Sequence, residues 1–256
     1  MITAGIDCGA KNTKTVILKD GVIIGKGLVL TGFDQTEAVR ASFEIASRDA
    51  DIDSRDVAYI GRVGSGTEPD KQATVMVNDI RAIAVAANYF FPSSRTVVDV
   101  GAEEAKAAKY DENGNVLDFA VNDKCAAGAG AFMEAMSRAL ETPLTEMGRL
   151  ALSSDNPIPI NSQCTIFAES EVVGLIHAQT EIEDISRAIF DAMAIRIVSM
   201  IRRVGINPDL VMMGGVAHNP GFMAAVKREL GVNQIFIPDN PEFGSAVGAA
   251  LVAAKG

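Results

Sequence analysis

A chain of 256 residues with a formal charge of −10 has no basic surplus to neutralise nucleic-acid phosphates, which argues against a nucleic-acid partner but not against a local phosphate loop. Its 48% hydrophobic and 22% charged residues suit one large or two small globular domains. No apolar run approaches the ~20 residues of a membrane span, and Met1 leads directly into a strand-like segment without a leader pattern. An odd set of three cysteines, Cys8, Cys125 and Cys164, speaks against a disulfide framework. The expectation is a cytoplasmic protein with no membrane partner.

In chain order, Thr3 to Gly9 reads as a strand ending in Asp7-Cys8-Gly9. A second strand over Thr13 to Leu18 turns at Asp20-Gly21 into a third that ends near Leu30. Helices follow over Gln35 to Ala50 and Val77 to Phe90. The opening pattern then returns: Val97 to Gly101 ends in Asp99-Val100-Gly101, Lys106 to Tyr110 follows, and Asn113-Gly114 turns into a strand ending at Val121. Asp-Gly and Asn-Gly between apolar runs are strong hairpin signals, because glycine accepts the positive φ such turns need. A recurring three-strand order with the same turn indicates duplication of a half-domain. Further helices are expected over Ala129 to Leu140, Ala168 to Ala178, Ile182 to Val204, Asn219 to Leu230 and Phe243 to Ala254. Asp209 to Gly215 reads as a buried strand running into a glycine turn. Strands alternating with helices make an α/β protein. The joint is placed at Phe91-Pro92-Ser93-Ser94, giving one half from 1–92 plus 243–256 and another from 93–242.

The turn Gly5-Ile6-Asp7-Cys8-Gly9-Ala10-Lys11-Asn12-Thr13-Lys14 is neither a Walker A loop nor a dinucleotide fingerprint. Such turns can present backbone N–H groups to phosphate oxygens, and an aspartate at the strand end can hold Mg²⁺ through its waters. Gly214-Gly215 would let a flat ring approach the backbone. Each glycine turn alone is compatible with a merely structural role; the order Asp-x-Gly, Asp-x-Gly, Gly-Gly favours a nucleotide site. That order resembles the phosphate-1, phosphate-2 and adenosine segments of the acetate kinase, sugar kinase, heat-shock chaperone and actin superfamily. The resemblance implies a duplicated actin-like fold closing over Mg-ATP, with Asp7 and Asp99 at the metal and the attacking water. Gly9, Thr13, Lys14, Gly101, Lys106, Gly214, Gly215 and Asn219 would bind the nucleotide.

Cys125 in Lys124-Cys125-Ala126-Ala127-Gly128-Ala129-Gly130 and Cys164 in Cys164-Thr165-Ile166-Phe167-Ala168-Glu169-Ser170-Glu171 each precede a helix, where a thiolate is favoured. Free cysteines are also common as small buried hydrophobes, the reading given to Cys8, and a four-cysteine site accepts zinc as readily as iron. These two segments, with Gly214-Gly215-Val216-Ala217, resemble the benzoyl-CoA reductase and 2-hydroxyacyl-CoA dehydratase activator ATPases over essentially the whole chain. The resemblance implies Cys125 and Cys164 as ligands of a 4Fe–4S cluster bridging two ATPase subunits, with Gly128 and Gly130 in the adjoining loop. It also implies ATP hydrolysis driving a low-potential electron, supplied by reduced ferredoxin, into CoA-thioester-reducing subunits. The stretch Gly101-Ala102-Glu103-Glu104-Ala105 and the residue Ala129 depart from dehydratase activators towards the smaller ATPase subunit of benzoyl-CoA reductases. Glu103 and Glu104 become candidates to position the attacking water. The expectation is therefore the reductase subunit, with the dehydratase activator as alternative. A small-molecule kinase or a non-enzymatic assembly on the same fold are the rivals of another class.

Three other features read as structural. His177 suits a helix C-terminus. The stripe Met193, Ile197, Met200, Ile201 and Val204 is helical core or a dimer face. Thr180-Glu181 is an N-cap with an acidic first turn.

Overall fold

The structure is a computed structural model that describes residues 1–64, 74–122, 129–160 and 164–255. It contains two mixed sheets. In the first, β1 (Ile2–Cys8), β2 (Asn12–Lys19) and β3 (Val22–Leu30) form an antiparallel meander. The β2–β3 turn uses positive φ at Asp20 and Gly21, 51° and 82°, the combination that matches strand twist in a tight hairpin. β4 (Tyr59–Gly64) and β5 (Thr74–Met76) extend the sheet in parallel, giving the order β3-β2-β1-β4-β5. The second sheet repeats the meander with β6 (Thr96–Val100), β7 (Ala105–Tyr110) and β8 (Val116–Asn122). β9 (Leu210–Met213) lies parallel to β6, giving β8-β7-β6-β9.

The two meanders agree residue by residue at the turn. Asp7 pairs across its hairpin with Lys14, and Asp99 with Lys106. The Gly9 N–H donates to the Asn12 carbonyl at 3.2 Å, as the Gly101 N–H donates to Glu104 at 2.9 Å.

The helices follow the expected segments with local differences. α1 (Gln35–Asp49) is capped by the Asp34 side chain, and α2 (Asp79–Phe90) by Asn78. Around the second sheet lie α3 (Gly130–Ala139), α4 (Leu144–Ser153), α5 (Thr165–His177), α6 (Ile182–Val204) and α7 (Pro220–Leu230). α5 starts at the residue after Cys164 rather than at Ala168, because Cys164 itself has the extended backbone of an N-cap. The N-cap of α6 is Glu181, whose side chain makes no capping bond, so the Thr180 cap is not formed. The α6 stripe Met193, Ile197, Met200, Ile201 and Val204 is buried in the core with Phe132, Met136 and Phe190, which settles it as interior within the chain.

The last helix, α8 (Gly244–Ala253), is apolar on all sides and nearly all buried, as a helix inserted between other elements must be. It packs on β1, β4 and α2. The approach is closer than any side chain permits: a Cβ on Gly5 would lie 1.8 Å from the Ala246 carbonyl oxygen, and one on Gly248 would lie 1.9 Å from that of Ala82. Backbone-to-backbone contact of this kind requires glycine. Among the described residues no helix is long and apolar enough to cross a membrane.

Candidate functional site: a nucleotide-sized cleft

Between the sheets lies a cavity of about 400 Å³ into which both Asp-x-Gly turns open. Asp7, Gly9, Lys11 and Lys14 come from the first meander, and Asp99, Gly101, Glu103, Glu104 and Lys106 from the second. Gly130, Gly214 and Gly215 complete the expected residues in its wall.

The charges at this end are mutually arranged. Lys14 Nζ donates to Asp7 Oδ2 at 2.9 Å, both groups largely shielded from solvent. Asp99 is held differently: Ser245 Oγ donates to its Oδ2 at 3.3 Å. Burial, reinforced by the Asp7 charge and only partly offset by Lys106 and Lys14, pushes the Asp99 carboxyl up to about 6. Lys106 bridges Asp79 Oδ2 at 3.2 Å and Glu104 Oε2 at 3.0 Å. Burial works against the Lys106 charge, but Asp79, Glu104 and Asp99 outweigh it and its pKa lies above the usual lysine value.

The opposite end is apolar, with Met133, Leu144 and Val216 in the wall. Gly214 leaves β9 with φ of 85°, and a Cβ there would lie 2.2 Å from the Val100 carbonyl oxygen. Its N–H donates to the Pro241 carbonyl at 2.9 Å. Glu242 also lines the cavity, and its Oε2 lies 2.7 Å from His218 Nε2. A charged end with backbone glycine turns and an apolar end with an acceptor is the polarity of a nucleoside triphosphate. Across the mouth, Lys11 Nζ reaches Glu134 Oε1 on α3 at 2.5 Å.

Two expected contacts fall outside the wall. Thr13 is fully buried, its hydroxyl 3.0 Å from that of Thr31 and 3.6 Å from Cys8 Sγ; strand alternation turns it into the core. Asn219 caps α7, accepting from the Phe222 N–H at 3.0 Å and donating to the Leu144 carbonyl at 3.1 Å. Cys8 is buried packing, as expected. Cys125 and Gly128 lie outside the described residues. Cys164 is exposed at the N-cap of α5, and no group of three or more metal-ligating side chains occurs among the described residues. Asp79, Ser245, Glu242 and the Lys11–Glu134 pair had no sequence signal, because each reaches the cleft only through tertiary packing.

The phosphate-2 turn is tied to α3. The Gly130 N–H donates to the Gly101 carbonyl at 2.9 Å, and the Ala131 N–H to that of Ala102 at 2.7 Å. The first donors of the helix that follows the Cys125 segment are thus bound to the turn beside Asp99.

Comparison with known proteins gives a consistent placement. Residues 4–253 match the model of the BadF/BadG/BcrA/BcrD ATPase family. The 2-hydroxyisocaproyl-CoA dehydratase activator of Clostridioides difficile is 35% identical over 99% of this chain and 95% of its own. The activator of lactoyl-CoA dehydratase of Anaerotignum propionicum is 37% identical over 99% and 97%. One of the subunits of the benzoyl-CoA reductase of Thauera aromatica is 29% identical over 98% and 92%. The crystal structure of the Acidaminococcus fermentans (R)-2-hydroxyglutaryl-CoA dehydratase component A superposes with a TM-score of 0.91 at 35% identity, covering 100% of this chain and 98% of that one. The C. difficile activator, solved with bound ADPNP, gives 0.88 at 35% identity, covering 100% and 95%. A glucokinase of the ROK family from Streptomyces griseus, 15% identical with a TM-score of 0.61 and full coverage of both chains, shares the fold alone. The activators are more similar than the reductase subunit, which reverses the order expected from Gly101–Ala105 and Ala129. With an actin-like fold, both Asp-x-Gly turns on one cleft and a match over nearly its whole length, the chain belongs to the BadF/BadG/BcrA/BcrD ATPase family.

Proposed function

We propose that the chain is the ATP-hydrolysing activator of a 2-hydroxyacyl-CoA dehydratase, coupling hydrolysis to delivery of a low-potential electron. The observation that carries this reading is the pair of backbone bonds that the Gly130 and Ala131 N–H groups donate to the Gly101 and Ala102 carbonyls. Through them a displacement of the phosphate turn would be transmitted to the helix next to the Cys125 segment. The greater identity to dehydratase activators, 35% and 37% against 29% for the reductase subunit, supports a dehydratase as the partner class.

The described residues that line the cleft fit the Mg-nucleotide the family implies. Asp7 and Asp99 would hold a Mg²⁺ ion through its waters, and Lys14 and Lys106 would neutralise phosphate charge. Glu103 or Glu104 would orient the attacking water. The halves 1–92 plus 243–256 and 93–242 would close around the nucleotide. Cys164, exposed at a helix N-terminus, and Cys125 would be two of the four thiolates usual for a 4Fe–4S cluster, and a second ATPase subunit, the same or homologous, would supply the other two. The cluster, when bound, would supply one-electron transfer from a donor of the reduced-ferredoxin class to the CoA-thioester enzyme. A benzoyl-CoA reductase subunit is the second reading, favoured by Gly101-Ala102-Glu103-Glu104-Ala105.

The test is anaerobic purification with iron, sulfide and zinc analysis, EPR spectra, and ATP hydrolysis, beside Cys125→Ser and Cys164→Ser. About four irons per two chains, bleached on reduction and lost in both variants, together with ATP-dependent activation of a dehydratase component, is the expected result. ATP turnover with zinc or no metal would overturn the electron-transfer role and favour a kinase. Activation of an aryl-CoA reductase alone would favour the second reading.

A further inference from the structure

The duplicated meanders place a lysine opposite each aspartate, yet the two lysines behave differently. In the first copy Lys14 closes directly on Asp7 at 2.9 Å. In the second, Lys106 turns to Asp79 at 3.2 Å and Glu104 at 3.0 Å. Asp79 belongs to neither meander. It opens α2, whose cap is the Asn78 side chain, and it lines the cleft.

An aspartate in a first helical turn is favoured by the helix dipole whether or not it meets a cation. Asp79 does more than this. Its Oδ1 accepts from the Gly64 N–H at 3.1 Å at the end of β4, while its Oδ2 receives Lys106 from the other sheet. Its orientation is therefore fixed by the first sheet, and it grips a cation carried by the second. A lysine ammonium on a four-carbon stem has wide rotamer freedom and a carboxylate within its own hairpin to collapse upon. Asp79 and Glu104 together supply the competing anchors that break the symmetry, and of the two only Asp79 comes from outside the meander.

We infer that Asp79 is a positioning residue for ATP hydrolysis, holding the Lys106 ammonium off Asp99 and towards the terminal phosphate. The inference rests on reading the cleft as the ATP site. Asp79 thus links the cation of the second meander to the end of β4 in the first sheet, whereas Lys14 closes on Asp7 within its own hairpin.

The experiment uses full-length anaerobic protein and measures ATP affinity by equilibrium binding, steady-state kcat and KM for phosphate release, and thermal unfolding. The variants are Asp79→Asn, Asp79→Glu, Lys106→Met and the double variant Asp79→Asn/Lys106→Met. Asp79→Asn is expected to keep ATP affinity within about threefold while kcat falls about tenfold or more, as misplacement of a reacting-centre group does. Asp79→Glu should restore much of kcat, and Asp79→Asn should add little to Lys106→Met, since groups acting as one unit are not additive. An unchanged kcat in Asp79→Asn would overturn the inference, as would an undiminished loss on the Lys106→Met background. Loss of folding in Asp79→Asn leaves Asp79→Glu against Lys106→Met to decide, and Asp79→Glu with kcat as low as Lys106→Met would also overturn it. Wild-type protein that binds no ATP would overturn the site reading itself, a result distinct from additive variants in a protein that hydrolyses ATP normally.

Discussion

Gly214→Ala is the perturbation whose cost can be worked most directly from the structure. With φ of 85° and ψ of 160° at this position, a backbone region essentially reserved for glycine, an L-residue loses ~1–3 kcal/mol from steric conflict with its own backbone. The added Cβ would also meet the Val100 carbonyl oxygen at 2.2 Å and Asp99 Oδ1 at 2.8 Å. Relief requires a shift of about 1 Å between β6 and β9, and overpacking of this kind costs ~1–3 kcal/mol. The sum is ~2–6 kcal/mol, which for a chain of this size lowers Tm by about 5–20 °C. Differential scanning calorimetry of the nucleotide-free protein measures it. Gly215→Ala is the control: nothing lies within 4 Å of its Cβ, so Tm should stay within ~1 °C. Gly215 nevertheless lines the cleft, and affinity for ATP should fall. A Gly214→Ala protein with unchanged Tm, or a Gly215→Ala protein that melts as early as it, would refute this account of the turn.

Asp99→Asn tests the buried carboxyl. Raised from 3.8 to about 6 in the folded chain, it binds its proton more tightly when folded, so wild-type stability should fall as pH rises from about 4 to about 6. The displacement is worth up to ~3 kcal/mol. The asparagine variant should be flatter over that window in denaturant titrations and more stable above it. Gly248→Val should cost at least ~3 kcal/mol or abolish soluble expression, because its Cβ would lie 1.9 Å from the Ala82 carbonyl oxygen and backbone cannot yield as a side chain does. Tyr110→Phe removes a buried hydroxyl 2.5 Å from Ser94 Oγ and should lower unfolding free energy by ~1 kcal/mol. Cys164→Ser, at an exposed position, should leave metal-free stability within ~0.5 kcal/mol while removing iron from the anaerobic protein.

The duplicated meander was legible because its signals are local. Asp20-Gly21 and Asn113-Gly114 mark the hairpins, and alternation marks the strands on either side. The Asp-x-Gly turns were legible for the same reason, and all their expected cleft residues except Thr13 line the cavity. Thr13 shows the limit: a strand residue's face depends on register, which places its hydroxyl against Thr31 rather than the cleft. β4 was not visible, since Gly61, Arg62 and Gly64 dilute its apolar pattern and its pairing with β1 is long-range. α4 begins after Pro143 without a capping side chain, and Glu146 in its first turn is too weak a start signal alone. Asp79 could be read as a helix-opening acid, but its reach to Lys106 on the other sheet is a property of how α2 is set between them. Glu242 and Ser245 likewise enter the cleft from a segment far along the chain. The partner class was misordered because Gly101–Ala105 and Ala129 are few positions against similarity spread over nearly the whole length.

The insertion of α8 has a consequence for how the protein is made. β1 leaves the ribosome well before α8, yet the surface it presents through Gly5 is completed only by residues beyond 240. The second meander and the helices around it can assemble while that surface waits, uncovered and apolar. Strands synthesised well before α8 are therefore sealed only once it emerges, and apolar surface left open over such an interval is prone to aggregate.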